Sequence, residues 1–306
     1  MVTGANSGLG LVTATELAAH GAEVILAVRN TGSGEAVAGA IRERVPGAAI
    51  AVRHLDLASL SSVREFAAGL LADHAQVDLL VNNAGAENLG SRRETPDGFE
   101  FHLGTNMLGH FALTGLLLSA ITTTPGSRIV SLSSITHKGA HLDFDDLQST
   151  RSFNPNRAYG ASKLATTVFG VELDRRLRHA SAPTASVIAH PGLSRSNFIE
   201  SAWKDRGVVA QTMGRIFSAL ATQPTEQGAL PQLHAATAPA VVGGDFFGPS
   251  GRGERRGHVV AVHASREALD PSVGERLWEH AQRLTGIEYL TDAVPGRASV
   301  RSEDGA

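Results

Sequence analysis

The chain has 306 residues, of which 42% are hydrophobic and 19% are charged, and its formal net charge is −3. This composition is typical of a globular protein with a sizeable core, and the weak net charge argues against nucleic acid as a main partner. The absence of cysteine excludes disulfides, thiolate metal sites and cysteine nucleophiles, and fits a cytoplasmic protein. The apolar stretches are too short for a membrane span, and the N-terminus lacks a signal-peptide pattern.

The first two thirds of the chain alternate short apolar runs with helical patterns. The predicted strands are Glu23–Val28, Ala49–His54, Asp78–Asn82, Arg128–Leu132 and Ala185–Ala189, with a late strand at His258–Val262. The predicted helices are Leu9–Ala19, Gly34–Arg44, Leu60–His74, Phe99–Ser119, Ala158–Arg178 and Ser272–Leu284. This alternation predicts an α/β fold: one Rossmann-type, doubly wound parallel sheet with helices on both faces.

The domain organisation follows from the absence of a central linker or repeat. We predict one domain over residues 1–290, with a substrate-covering region at about 193–255 and a disordered polar tail over 291–306. Within the covering region, the apolar residues of Phe198–Leu220 indicate either a lid over the site or an amphipathic helix packed on the core.

A glycine-rich turn opens the first predicted helix. Its residues that we expect to contact a cofactor are Thr3, Gly4, Asn6, Ser7, Gly8, Leu9 and Gly10. Glycines let the backbone approach a pyrophosphate closely, and the helix N-terminus offers free N–H groups to it. The spacing is G-x-x-x-G-x-G, so an ordinary glycine turn before a helix remains the alternative for this motif taken alone.

The end of the second predicted strand carries Arg29, followed by Asn30. An acidic residue at this position would bind the ribose 2′-hydroxyl of NAD, whereas an arginine pairs with the 2′-phosphate of NADP. A solvated arginine at a strand end is the alternative. Because the glycine turn lies about twenty residues upstream, we favour the phosphate interpretation.

Tyr159 and Lys163 lie four residues apart at the start of a predicted helix, and residues at this spacing share a helix face. A lysine ammonium beside a phenol lowers the pKa of the phenol, which makes tyrosine a usable acid or base near neutral pH. An isolated Tyr/Lys pair of this kind is more often an ordinary pair on a helix surface. Its value as evidence for catalysis therefore depends on the other motifs in the chain.

Taken in order, the motifs resemble those of the short-chain dehydrogenase/reductase family. They are TGANSGLG at residues 3–10, NNAG at 82–85, Ser133-Ser134, YGASK at 159–163 and HPG at 190–192. The long segment between Ser134 and Tyr159, the late DFFGPSG and the terminal LWEHAQRLTG are similar to the branch of retinol-dehydrogenase-like and protochlorophyllide-reductase-like enzymes. That branch acts on large hydrophobic carbonyls or alcohols.

The resemblance implies roles for individual residues. Tyr159 would be the general acid in carbonyl reduction, Lys163 would hold the nicotinamide ribose, and Ser134 would hydrogen-bond the substrate oxygen. Asn106 would support a water-linked proton path to the lysine, with an ordinary polar residue within a helix as the alternative. Ser133 would pack or make a backbone hydrogen bond at the strand end. The further cofactor contacts implied are Asp56, Leu57, Asn83, Ala84, Gly85, Pro191, Gly192 and Leu193. Asp56 could equally cap a turn.

The expected activity is an NADP(H)-dependent oxidoreductase that reduces a carbonyl or oxidises an alcohol of a small hydrophobic molecule. NADPH/NADP+ is favoured over NADH, no metal is required, and a homo-oligomer is possible. The rival interpretation is a catalytically silent protein that senses NADP(H) on the same fold, because a fold alone does not determine activity.

One departure from the family pattern concerns the first strand. Only Met1 and Val2 precede Thr3, where the family places a complete central strand. We therefore expect a truncated strand that forfeits ladder hydrogen bonds, at about 1–3 kcal/mol for each unpaired group. Two interpretations are open: the true start of the protein lies further upstream, or the form that begins at Met1 is poorly stable.

Overall fold

The computed structural model describes residues 1–194 and 223–291, and eight strands of this part form one sheet. The strands are β1 (Val2–Thr3), β2 (Val24–Val28), β3 (Ile50–His54), β4 (Leu79–Asn82), β5 (Arg128–Leu132), β6 (Ala185–Ala189), β7 (Phe246–Pro249) and β8 (Val259–Ala261). Their order is β3-β2-β1-β4-β5-β6-β7-β8. Every neighbouring pair is parallel except β7 and β8, which are antiparallel.

Helices cover both faces of the sheet, which confirms the predicted doubly wound architecture. The helices are α1 (Gly8–Ala19), α2 (Thr31–Arg44), α3 (Leu60–Asp73), α4 (Phe101–Thr122), α5 (Pro155–His179), α6 (Thr225–Thr237) and α7 (Pro271–Thr285). One core cluster joins the sheet to α3, α4, α5 and α7, and a second joins it to α1, α2 and α6. Parallel strands buried on both faces explain the continuous apolar runs in the sequence.

Helix α4 departs from the regular pattern in its first turns. A π-helical turn at Gly104–Leu108 follows the first residues Phe101–Leu103, and α-helix resumes at Gly109–Thr122. Single π-turns within helices are frequent at functional sites. By length and hydropathy alone, α4 could cross a membrane. However, 78% of its apolar window is buried in the core, and the core helix of a globular protein passes the same test.

The first strand is short, as expected, yet it pairs on both sides. Val2 pairs with Leu26 of β2 and with Val81 of β4. The ladder continues through Met1, whose ammonium donates to the Leu79 carbonyl at 2.8 Å and whose carbonyl accepts from Val81 N at 3.0 Å. This arrangement buries the Met1 ammonium, and burial disfavours its charged form and lowers its pKa to about 6.

Two elements were not predicted, α6 and β7, and both lie within the region expected to cover the substrate. Helix α6 packs on α1 and on the sheet, and β7 joins β6 to the edge strand β8. This part of the region therefore belongs to the sheet and its covering layer. Most of the predicted tail, from residue 292, and the whole predicted lid Phe198–Leu220 lie outside the described residues.

Candidate active site

The predicted site residues gather at the edge of the sheet where β1, β4, β5 and β6 end. Because these strands are parallel and adjacent, their carboxyl ends meet at one crevice. The glycine turn follows β1, Asn83 to Gly85 follow β4, Ser133 and Ser134 follow β5, and His190 to Leu193 follow β6.

The glycine turn has the geometry of a phosphate cradle. Gly4 and Gly8 have positive φ angles of 64° and 56°, which side chains rarely tolerate. A Cβ atom on Gly10 would lie 2.5 Å from the Gly4 carbonyl oxygen and from the Asn83 amide nitrogen. Ser7 caps α1 without a side-chain hydrogen bond, and the first turn holds no acidic residue. The helix N-terminus is therefore free for an anion, which fits a dinucleotide pyrophosphate.

Thr3, which we expected to contact a cofactor, supports the glycine turn from inside with its side chain. Its side chain is fully buried, and its hydroxyl accepts hydrogen bonds from Asn83 N at 3.0 Å and Ala84 N at 2.9 Å. The same hydroxyl lies 2.9 Å from His110 Nε2. Since His110 Nδ1 faces the Asn106 carbonyl oxygen at 3.0 Å, Nδ1 carries the proton and Nε2 accepts from Thr3.

Asn83 also supports the turn with its side chain rather than facing the crevice with it. Its amide donates to the Thr3 carbonyl at 2.8 Å, and its amide oxygen accepts from Gln232 of α6 at 3.2 Å. The neighbouring backbone at Ala84 and Gly85 is more exposed. Any contact with a cofactor ribose therefore falls to this backbone.

The end of β2 and the start of α2 form a second polar turn beside the glycine turn. Arg29 is exposed, and Asn30 caps α2 by accepting from Ser33 N at 3.0 Å. Asn6 reaches across from the glycine turn and donates to the Ser33 hydroxyl at 2.9 Å. Ser33 was missed in the sequence, where only its position three residues after a capping asparagine could have indicated it.

Ser134 and Tyr159 share a hydrogen bond between their hydroxyl groups, so the structure brings these two predicted residues together. The pKa of Tyr159 is not lowered as expected from Lys163. Burial and the nearby Glu87 carboxylate raise it to about 12, and the Ser134 hydrogen bond offsets this only in part. Tyr159 is therefore a protonated phenol, ready to donate.

Lys163 is buried under the same crevice. Its ammonium donates to the Leu132 carbonyl at 3.0 Å, and burial lowers its pKa to about 8. A Cβ atom on Gly85 would lie 3.2 Å from its Nζ atom, so glycine at this position leaves the lysine accessible from the crevice. Ser133, as expected, has a packing role and bonds to Thr167 Oγ1 at 2.6 Å.

Asn106 lies in the π-helical turn of α4 and is almost fully buried. Its amide oxygen accepts from Ala86 N at 2.7 Å, and its amide nitrogen donates to the Ala86 carbonyl at 3.0 Å and to the Ser162 hydroxyl at 2.9 Å. These bonds fix the segment after Gly85 against α5. The side chain of Asn106 thus positions the loop beside Tyr159.

A group of residues next to Tyr159 was missed in the sequence. Glu87 is half-buried, and burial raises its pKa to about 7. The His102 ring packs edge-on against Tyr159, with ring centroids 6.0 Å apart. Asn88 N donates to His102 Nε2 at 2.8 Å, so Nδ1 carries the proton and donates to Glu100 at 2.8 Å. No short motif carries these residues, because they converge from different segments.

The remaining predicted cofactor residues follow the ends of β3 and β6. Asp56 accepts from Ala58 N at 3.0 Å in a local turn, which is the capping alternative. Leu57 is buried, with its carbonyl against Gly109. Pro191 accepts from the Gln223 amide at 2.8 Å, and Gly192 has a φ of 63°.

Comparison with known proteins identifies the family of the chain. The family model described as short chain dehydrogenase matches residues 1–206. The chain belongs to the short-chain dehydrogenase family. It is therefore an NAD(P)-dependent oxidoreductase that acts on alcohol or carbonyl groups.

Within the short-chain dehydrogenase family, the chain is similar to human retinol dehydrogenases. It is 41% identical to retinol dehydrogenase 13 of Homo sapiens over 292 residues, covering 94% of this chain and 84% of the relative. It is 38% identical to human retinol dehydrogenase 11, covering 94% and 85% of the two chains. The expected retinol-dehydrogenase-like branch is thereby confirmed.

Solved structures show the same short-chain dehydrogenase fold. An uncharacterised protein from Mycobacterium Paratuberculosis superposes with a TM-score of 0.76 at 40% identity, covering 94% of this chain and 92% of that one. The NADP complex of Pseudomonas aeruginosa RhlG superposes with a TM-score of 0.63 at 21% identity, covering 80% and 91%.

Proposed function

We propose that the chain is an NADP(H)-dependent oxidoreductase that interconverts a carbonyl and an alcohol on a small hydrophobic molecule through Ser134, Tyr159 and Lys163. The observation that carries this proposal is the hydrogen bond between Ser134 and Tyr159 above the buried Lys163 ammonium, beside the glycine cradle. A protein that only senses a nucleotide needs no proton donor at this point.

The proposed mechanism assigns one task to each side chain. A bound nicotinamide would supply or accept the hydride at the reacting carbon. Ser134 donates a hydrogen bond to the substrate oxygen, which stabilises the negative charge that develops there during reduction. Tyr159 donates its phenolic proton to that oxygen, or removes it in oxidation. Lys163 would hold the nicotinamide ribose, and Asn106 keeps the loop beside Tyr159 in place.

The cofactor we propose is NADPH/NADP+ rather than NADH. Arg29 at the end of β2 is cationic and exposed, and the N-terminus of α2 with the Asn6–Ser33 hydrogen bond lies beside it. Together Arg29 and the start of α2 offer positive charge and a helix N-terminus to a 2′-phosphate. No acidic side chain occupies position 29 to accept a ribose hydroxyl.

The substrate we propose is a hydrophobic aldehyde, ketone or alcohol. Relatives that are 36–41% identical are named retinol dehydrogenases, and retinol is a large apolar alcohol. We propose that residues within about 193–255 contribute the part that covers the substrate. A cytoplasmic location and assembly with further copies of the chain remain predictions, which cell fractionation and light scattering would test.

The test is an NADPH-coupled screen of apolar aldehydes and ketones, followed by loss of NADPH absorbance. Tyr159→Phe should abolish turnover and leave NADPH binding unchanged. The matched control is Tyr289→Phe, which removes the second tyrosine hydroxyl of the chain, bonded to the Phe111 carbonyl at 3.1 Å, and should retain turnover. Full activity of Tyr159→Phe would refute the assigned proton donor, and tight NADPH binding without any turnover would favour the sensor.

Cofactor choice has its own experiment. Arg29→Asp should shift the preference from NADPH towards NADH, because the carboxylate repels a 2′-phosphate and accepts from a ribose hydroxyl. Arg44→Asp is the matched control, since Arg44 is also an exposed arginine and lies in the last turn of α2, away from Arg29. Equal selectivity of the two variants would remove Arg29 from the phosphate site.

A further inference from the structure

Three loops meet beside Ser134 and are joined by a cluster of charged and polar side chains. The first is the 3₁₀ turn Ile135–Gly139 after β5, which carries His137 and Lys138. The second is the segment after β6 that begins at His190. The third is the connection between β7 and β8, which carries Glu254. The mechanism proposed above uses none of these four side chains.

The Glu254 carboxylate bridges the other two loops. One oxygen accepts from Lys138, and the other lies 2.9 Å from His190 Nε2. Gly192 N donates to His190 Nδ1 at 3.2 Å, so Nε2 carries the proton and donates to the carboxylate. Burial alone would raise the pKa of Glu254, but these two hydrogen bonds hold it below its usual value. Burial lowers the pKa of His190 to about 4, so its ring is neutral at neutral pH. The bridge is therefore an ion pair only between Glu254 and Lys138.

The same cluster extends to the backbone of Ser134. His137 Nδ1 lies 2.6 Å from the Ser134 carbonyl oxygen, which can only accept. The His137 and His190 rings are fully buried. Both pack against Phe246, with centroid distances of 5.2 and 5.4 Å, and their own centroids are 6.4 Å apart. A shift of the loop at His190 is thus transmitted through packed rings to the position of Ser134.

The backbone at Glu254 is strained. Its φ angle is 55°, a left-handed conformation that only four non-glycine residues adopt within residues 1–194 and 223–291. Such conformations persist only where the surroundings impose them, and they concentrate at functional sites. The next residue, Arg255, presents its carbonyl oxygen to Leu193 N at 2.7 Å, and a Cβ atom on Gly192 would lie 2.5 Å from that oxygen. Strain and close packing therefore coincide where this loop meets residues 192 and 193.

We propose that Glu254 is a positioning residue of the active site: by bridging Lys138 and His190, its carboxylate fixes the Ser134 loop relative to residues 191–193. It touches neither substrate nor cofactor. This inference rests on the proposed function, because Ser134 is taken to bind the substrate oxygen and residues 191–193 are taken to contact the cofactor. The bridge sets the alignment of the substrate oxygen with the hydride that reaches its carbon.

The deciding variant is Glu254→Gly, which removes the carboxylate and also relieves the left-handed strain. The variant should lose less unfolding free energy than the loss of a core contact would cost, because the relief of backbone strain offsets the lost bridge. Its kcat should fall by about tenfold to a hundredfold, as expected for a small misplacement of reacting groups. NADPH affinity should stay within about twofold, because the glycine turn and Arg29 are untouched.

Ser181→Gly is the matched control. Ser181 has a φ of 52° and precedes β6, at the opposite edge of the sheet from the crevice, so this variant relieves the same kind of strain without touching the bridge. Its kcat should equal that of the wild type. In Glu254→Gln the charge is lost but an acceptor for Lys138 remains, and kcat should fall between the wild type and Glu254→Gly.

Amide hydrogen exchange provides a readout that does not depend on turnover. Exchange at Gly192 and Leu193 should be faster in Glu254→Gly than in the wild type and unchanged in Ser181→Gly. A Glu254→Gly enzyme with wild-type kcat, or with unchanged exchange at these two amides, would overturn the positioning role. If the wild type turned over no carbonyl, the proposed function would fail instead, and the exchange result would still decide whether Glu254 holds the loops together.

Discussion

Thr3→Val is the perturbation that tests how the glycine turn is held. Valine keeps the shape of threonine and removes only the hydroxyl, which bonds to Asn83 N, Ala84 N and His110 Nε2. Asn83 N remains paired in the variant, because it also donates to the Val81 carbonyl at 2.9 Å. Ala84 N and His110 Nε2 each lose the partner that the structure gives them.

The magnitude follows from these two groups. An unsatisfied buried polar group costs about 1–3 kcal/mol, so the variant should lose about 2–6 kcal/mol of unfolding free energy. His110, which is almost fully buried, should account for more of this loss than Ala84, which is half-buried. A domain is typically stable by only about 5–15 kcal/mol, so this loss would be plain in any unfolding curve.

The assay is equilibrium unfolding in urea, with the midpoint and slope fitted for each variant. Thr3→Ser is the control, because it keeps the hydroxyl and loses one methyl group, at about 1 kcal/mol. Thr3→Val should therefore be clearly less stable than Thr3→Ser at an unchanged slope. If the valine variant were as stable as the serine variant, the hydroxyl would not hold the turn, and the argument from buried hydrogen bonds would be refuted.

Three further predictions concern the crevice. Glu87→Gln removes a negative charge beside Tyr159 and should lower the pKa of that phenol from about 12, so alcohol oxidation should set in at lower pH; an unchanged pH–rate profile would contradict this. Burial lowers the pKa of His110 from 6.5 to about 4, so on acidification the unfolded chain binds this proton before the folded chain does. The free energy of unfolding should therefore fall by about 3 kcal/mol as the pH drops from 6.5 to 4. Urea unfolding of His110→Gln should show a smaller loss over this pH range, and an equal loss would count against a buried neutral His110. Gly10→Ala should weaken NADPH binding and lower stability, because its Cβ would lie 2.5 Å from a backbone oxygen. Gly39→Ala, whose Cβ would have nothing within 4 Å, should stabilise the chain by about 0.5–1 kcal/mol. Equal effects of the two substitutions would exclude a tight turn at Gly10.

The sequence predicted most of the sheet because its signal is local. Strands β5 and β6 have the predicted bounds, and β2, β4, β5 and β6 lie in the mainly apolar, mainly buried runs that a sheet covered on both faces requires. Helix α6 and strand β7 were missed for an equally local reason. Pro231 lies inside α6, and β7 is the short segment FFGP, so both contain residues that ordinarily interrupt regular structure.

The candidate site divides in the same way. Ser134, Tyr159, Lys163 and the glycine turn are carried by short motifs, and the parallel strand order brings them to one edge. The state of Tyr159 was not predictable from the Lys163 spacing. Its pKa depends on burial and on Glu87, which reaches the phenol only through the path of the loop after β4.

What the sequence by itself determined is therefore the family, most of the sheet and the motifs that carry the candidate site, because apolar periodicity and short motifs are properties of neighbouring residues. Only the tertiary structure decided which side chains support those groups. Thr3 meets His110 across 107 positions, and His190 meets Glu254 across 64. Hydrogen bonds between such distant residues leave no pattern in the chain, since their partners are chosen by how the helices and loops pack on the sheet.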